Sequence, residues 1–229
     1  MRMLSADGWL LLLRWIHFLA GITWIGLLYY FNFVQVPFFG ETEAPVRVGA
    51  QQKLLPRALW WFRWGAMVTF LAGWLYFLHA WMGRLAEPGA TVILLGGLLG
   101  SIMWANVWFV IWPNNKIVIQ NAIDTGAGRP ANPAAAPAGA RGGLASRTNV
   151  VLSIPMLLFM GSASHMPFPK PINGTLFWIG ALVIMAAVEA NALYGTPGKG
   201  AAKPLATVKG TLWAGFILTA VFWVLFQIV

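Results

Sequence analysis

The chain contains no cysteine in 229 residues. Without thiols there is no disulfide framework, no thiolate zinc or iron–sulfur site, and no covalent attachment for c-type heme. Charge is nearly as scarce. Charged residues make up 9% of the chain, and only 6 are acidic, whereas a soluble domain carries about 25%. So few charges cannot cover a globule, which excludes a water-soluble fold. Disorder is excluded as well, because the chain is 59% hydrophobic and 14% aromatic and would collapse. The mean hydropathy of +0.71 points to an all-α, polytopic integral membrane helical bundle.

A helix needs roughly 20 mostly apolar residues to cross a bilayer. Six segments qualify, at about 9–33, 59–82, 90–112, 148–166, 175–194 and 211–229. The expectation is therefore about six transmembrane helices in a single membrane domain over residues 1–229, with the lipid bilayer as first partner. The first segment is too long for a signal peptide and is interrupted by Arg14 and His17. Pro155 lies inside the fourth and predicts a kink.

The 15 basic residues against 6 acidic give a net charge of +9. In a soluble protein that balance would suggest nucleic acid; in a membrane protein it reports loop orientation, and no nucleic-acid partner is expected. Ten of the fifteen fall in the first, third and fifth loops: Arg47, Lys53, Arg57, Lys116, Arg129, Arg141, Arg147, Lys199, Lys203 and Lys209. The other loops and the N-terminus hold Arg2, Arg84 and Lys170, and Arg14 and Arg63 lie within spans. The positive-inside rule then makes the odd loops cytoplasmic and both termini extracytoplasmic. The setting is a bacterial-type inner (cytoplasmic) membrane, crossed several times.

The third loop covers 113–147 and contains GAGRPANPAAAPAGARGG over 126–143. Its Pro/Ala/Gly composition predicts a mobile linker, while 115–123 could extend the third helix into the cytoplasm. Trp60, Trp61, Trp64 and Trp112 near inner ends, with Trp9, Trp81 and Trp178 near outer ends, read as an interfacial belt. Gly96 and Gly100 read as a close helix–helix contact, and Met156 with Met160 as core.

Ionisable groups are expensive inside a membrane, so each is a functional candidate. The candidates are Arg14, His17, Arg63, His79, His165 and Glu189. Arg63 and Glu189 both fall in inner halves and could pair. All three histidines fall in outer halves. Neutral imidazole is the commonest metal ligand, and a b-type heme needs axial imidazoles, small neighbours, and cations for its propionates. His17 has Ala20 and Gly21 at i+3 and i+4, with Arg14 one turn outward on the same face. His79 has Tyr76 at i−3 and Ala72 and Gly73 deeper in. The preferred axial pair for heme b is thus His17 with His79, with His165 as a replacement ligand or a propionate or proton partner.

Four stretches also carry a resemblance: RWIHFLAGITWIGLLYYFNFVQVPFF (14–39), LLPRALWWFRWGAMVTFLAGWLY (54–76), MWANVWFVIWPNNK (103–116) and SRTNVVLSIPMLLFMGSASH (146–165). Together they resemble the membrane-bound urate hydroxylase family, through its urate oxidase N-terminal membrane domain. A shorter echo (His17, Trp24, Gly26) is similar to membrane heme proteins of the protoporphyrinogen-oxidase and copper-resistance type. The urate hydroxylase resemblance implies oxidation of urate, with electrons passing to the respiratory chain through a fused cytochrome c domain. This chain ends at Val229 and has no cysteine for c-type heme, so a quinone or a separate cytochrome c is the expected electron partner. Carried over residue by residue, the resemblance implicates His17, His79, His165 and Arg14. It also marks 112–116 and 146–149 as flanks of the cytoplasmic loop that could bind an anion or partner, with Arg147 and Asn149 the members to test. Two other readings remain open: an accessory subunit of a larger respiratory or photosynthetic membrane complex, and a transporter or metal-uptake protein.

Overall fold

The computed structural model describes residues 5–166 and 169–229, and among these no residue is in a β-strand. Arg2, counted above with the N-terminus, lies outside the described residues. Helix α1 (Ala6–Tyr29) passes through a π-helical turn (Tyr30–Gln35) into the short α2 (Val36–Glu41). Helix α3 (Ala44–Ala80) returns, followed by α4 (Pro88–Ala105), a second π turn (Asn106–Ile111) and α5 (Trp112–Gly126). Three long helices complete the bundle: α6 (Ala135–His165), α7 (Gly174–Tyr194) and α8 (Val208–Ile228).

Five stretches are long and apolar enough to cross a membrane: Ala6–Glu41, Pro88–Gly126, Ala135–Ala163, Gly174–Tyr194 and Val208–Ile228. The sixth rod, α3, is 37 residues long but is not among the five; Arg47, Lys53, Arg57 and Arg63 lie along it. The expected all-α bundle of membrane-capable helices is therefore present.

Local chemistry sets the helix ends. Ser5 Oγ accepts from the Gly8 amide at 3.2 Å, Asn173 Oδ1 from Leu176 at 3.1 Å and Thr207 Oγ1 from Gly210 at 3.0 Å. Each side chain satisfies an amide that a helix start leaves unpaired. The π turns precede prolines for a related reason. Proline has no N–H and its ring crowds the carbonyl four residues back. Just before Pro37, the Val36 amide donates to Phe31, and just before Pro113 the Trp112 amide donates to Val107; both are i→i−5 bonds that widen the helix. By contrast α6 runs unbroken through Pro155. The Val151 carbonyl, which Pro155 cannot serve, faces Gly215 of α8, where an added Cβ would lie 3.2 Å from it.

The loop expected over 113–147 is mostly helical. The stretch 115–123 lies in α5, as the extension anticipated. The mobile linker over 126–143 is corrected: α6 begins at Ala135, and only 127–134 lies between the helices. Alanine is the strongest helix former, and the glycines let two backbones approach. A Cβ on Gly142 would sit 3.4 Å from Asn114 Cβ, and one on Gly139 3.6 Å from Val118 Cγ2.

Gly96 and Gly100 do form a close contact. A Cβ on Gly96 would meet Met160 Cγ at 2.6 Å, and one on Gly100 would meet Met156 Sδ at 3.4 Å, so the two methionines fill the space the glycines leave. Trp9, Trp60, Trp61 and Trp64 are exposed, as a belt requires, but Trp81 is buried against Gly89.

The odd loops meet at one end of the bundle, where Gln51, Asn115, Gly139 and Pro197 line a common cavity. At the opposite end Gly89 lies against Trp81 and the Ala163 carbonyl, and the Asn173 amide donates to the Val229 carbonyl. The linker between α3 and α4 carries an exposed ion pair in which Arg84 donates two hydrogen bonds to the Glu87 carboxylate, at 2.7 and 2.6 Å. The guanidinium holds that carboxyl below its ordinary range, and the carboxylate raises Arg84 in turn.

Candidate functional site

All three histidines lie toward the end of the bundle away from the cavity, as the sequence suggested. Helices α1 and α3 run antiparallel in close contact: a Cβ on Gly65 would lie 3.3 Å from the Trp24 amide nitrogen and 3.4 Å from the Ala20 carbonyl. Further along this seam the half-buried His17 places Nδ1 2.9 Å from the Thr69 carbonyl, with the Cε1–Nδ1 edge of its ring against Gly73. A Cβ there would meet Cε1 and Nδ1 at 2.8 Å, so Gly73 is what admits the imidazole. One turn outward, Arg14 donates to the Tyr76 hydroxyl, its guanidinium carbon 4.9 Å from the centre of that ring. Arg14, His17, Thr69, Gly73 and Tyr76 therefore form one cluster.

His79 and His165 stand apart from it. Each turns Nδ1 back to its own helix, toward Leu75 at 2.7 Å and Gly161 at 2.9 Å, and both are exposed. His79 lies six residues beyond Gly73, about 9 Å along the axis. All three rings nonetheless share one feature: Nδ1 faces a backbone carbonyl, and Nε2 has no hydrogen-bond partner among the described residues. An Nδ1–H donated to a carbonyl fixes the tautomer whose Nε2 carries the lone pair, which is how second-shell bonds prepare a metal-ligating histidine. No group of three or more His, Cys, Asp or Glu side chains able to hold a metal ion occurs among the described residues.

The anticipated Arg63–Glu189 pair does not form. Arg63 lies over Trp112, 3.9 Å from the ring centre, and 5.6 Å from Trp108. Stacking on the two indoles keeps the cation at the basic end with an aromatic partner in place of a carboxylate. Glu189 instead accepts from Asn106 Nδ2 at 2.9 Å. The same amide reaches Asn149 Oδ1 at 3.0 Å, and Asn149 Nδ2 donates to the Met103 carbonyl at 2.9 Å. Asn149 is thus fully buried in a network joining α4, α6 and α7 at the second π turn, and is not free to meet a ligand from the loop.

Its expected companion Arg147 is better placed. A cavity of about 310 Å³ opens at the basic end, lined by Asn32, Gln35, Ser146 and Arg147 among mostly apolar neighbours. Asn32 Nδ2 donates to Ser146 Oγ at 2.8 Å. Gln35 is buried, and its Oε1 has no hydrogen-bond partner. Arg147 donates to the Leu205 carbonyl, while Arg141, two turns earlier on α6, donates to the Ala192 and Gly195 carbonyls, both at 3.1 Å. These arginines tie the loop after α7 down over the cavity. Sequence reasoning missed Gln35; Pro37, whose π turn shapes this wall, was the available signal.

Five helical stretches long and apolar enough to cross a bilayer, an imidazole on the first of them anchored against α3 and a buried amide–carboxylate network define a polytopic helical membrane protein with polar groups inside its bundle. The profile of the family described as urate oxidase N-terminal matches residues 74–224, and the chain belongs to that family. The matched region includes the stretches 103–116 and 146–165 quoted above, while Arg14 and His17 precede it. No curated protein and no solved structure matches the chain.

Proposed function

We propose that this protein is a membrane-embedded redox module of the urate hydroxylase type, binding heme b in the outer half of the bilayer and exchanging electrons with a quinone or a separate cytochrome. The observation that supports it best is the setting of His17, whose Nδ1 is anchored on Thr69 and whose Nε2 is left over. Its donor chemistry would suit a ligand to the heme iron, and Arg14 beside it would suit a propionate. His79 would be the second ligand in this reading; its Nδ1 likewise faces a backbone carbonyl, on an exposed stretch of α3.

When bound, heme b supplies one-electron transfer. The chain's own residues do the rest. The Thr69 carbonyl holds the His17 tautomer and ring plane, Gly73 leaves the imidazole its room, and Tyr76 orients Arg14. In this reading α3 crosses the bilayer with the five more apolar rods, the odd loops lie in the cytoplasm, and both termini are extracytoplasmic. The basic residues gathered at one end support that orientation.

The test is electron exchange by protein purified in mild detergent. Added quinol should reduce its heme absorbance, or soluble ferricytochrome c should reoxidise it, within seconds. Heme that neither partner can reduce or reoxidise would overturn the redox assignment. Comigration with other subunits on native gels, without such exchange, would favour an accessory role instead.

A further inference from the structure

The cavity at the basic end takes no part in the redox reading, yet one of its groups lacks a counter-charge and another a hydrogen-bond partner. Arg147 is the only charged residue in its lining, where no Asp or Glu occurs. The guanidinium is half-buried, one N–H is used on the Leu205 carbonyl, and among the described residues ion pairs join only Arg84 with Glu87 and Arg129 with Asp124. A cation drawn this far from water without a counter-charge calls for an anion. Gln35 makes the complementary demand. Its side chain is 5% exposed and Oε1 is unpaired, so whatever fills the cavity should bring an O–H or N–H donor. Ser146 Oγ accepts from Asn32 and keeps its own proton to donate.

Depth and polarity narrow the class. Leu55 and Leu59 line the cavity, and Trp60, Trp61 and Trp64, which follow directly, are 47%, 60% and 42% exposed. Exposed tryptophans mark the level of lipid head groups. Phe31, Leu55, Leu59 and Ile111 supply apolar wall that a freely soluble anion would not need. On the lipid side, α2 exposes Val36 and Phe38.

We propose that this cavity holds the head group of an anionic phospholipid bearing a free hydroxyl, with phosphate on Arg147, hydroxyl on Gln35 and the glycerol and upper acyl chain along the apolar wall. Basic pockets between membrane helices recognise lipid head groups by this chemistry. The site ties the first π turn, α6 and the loop after α7 to one lipid.

The experiment is native mass spectrometry of the delipidated full chain, titrated with phosphatidylglycerol, phosphatidylcholine, or phosphatidylmethanol, which has the same charge but no head-group hydroxyl. Phosphatidylglycerol should bind about tenfold more tightly than phosphatidylcholine. Arg147→Gln should erase that preference and Arg147→Lys should keep most of it. Gln35→Leu removes an amide whose Oε1 has no partner and keeps a side chain of similar size. It should abolish the advantage of phosphatidylglycerol over phosphatidylmethanol while leaving the preference for anionic lipid. Equal binding of phosphatidylglycerol and phosphatidylcholine would overturn the proposal, as would a preference over phosphatidylcholine unchanged in Arg147→Gln, or an advantage over phosphatidylmethanol unchanged in Gln35→Leu. Full competition by soluble glycerol 3-phosphate would also overturn it, by showing a site for a free anion. If Arg147→Gln does not fold, Arg147→Lys and Gln35→Leu decide.

Discussion

Replacing Gly73 by alanine puts one methyl group against the His17 ring. The added Cβ would lie 2.8 Å from both Cε1 and Nδ1, a distance real contacts do not sustain, so the imidazole must swing away and release its 2.9 Å contact with the Thr69 carbonyl. A hydrogen bond between membrane helices is worth about 0.6 kcal/mol, and overpacking a fitted seam costs about 1–3 kcal/mol. Together Gly73→Ala should cost about 1.6–3.6 kcal/mol, read as a lowered midpoint in thermal or denaturant unfolding in detergent. The diagnostic step is a double-mutant cycle. In a His17→Ala background the ring is gone, the methyl group has room, and Gly73→Ala should cost less than about 0.5 kcal/mol, the additivity limit for uncoupled sites. A neutral Gly73→Ala, or an equal cost in both backgrounds, would refute the seam described for α1 and α3.

Three further outcomes follow from other contacts. Gly96→Val should drive Met160 off the α4–α6 seam and destabilise by about 1–3 kcal/mol, with Met160→Ala restoring much of the loss. Arg63 and Glu189 should show coupling below about 0.5 kcal/mol in a cycle of Arg63→Ala with Glu189→Gln, since Arg63 rests on indole rings and Glu189 on Asn106; a larger value would mean that they interact after all. The Arg84–Glu87 pair predicts a pH effect of definite sign. Because the folded carboxyl is depressed, its small stabilisation is present above the unfolded carboxylate pKa and fades as pH falls through the folded one. A Glu87→Gln variant should therefore converge on the parent protein in acid, as unfolding midpoints across pH would show.

Hydropathy alone marked all six rods, and five of them are long and apolar enough to cross lipid. It also placed the histidines toward one end and the basic loops toward the other, since alternation along the chain fixes which ends gather. The features it missed depend on neighbours. The start of α6 looked like a linker because Ala, Gly and Pro carry no side chain to signal burial; the helix is visible only once Gly142 is seen against Asn114. The Arg63–Glu189 pair was argued from shared depth, and depth says nothing of azimuth: Arg63 faces Trp112 and Glu189 faces Asn106. Of the site, His17 and Arg14 were legible as residues foreign to lipid. Thr69 and Gly73, which hold the imidazole, were not, because neither has unusual chemistry by itself. The cavity was least legible, since its walls come from five stretches far apart in the chain, most of them helical.

The most direct test of the redox assignment is an optical spectrum of the protein purified from its native membrane, beside its His17→Ala variant. The account predicts a Soret band in the parent protein, sharpened on reduction, and its loss in His17→Ala while the helical circular dichroism is kept. A parent protein without Soret absorbance, or a band unchanged in His17→Ala, would contradict it.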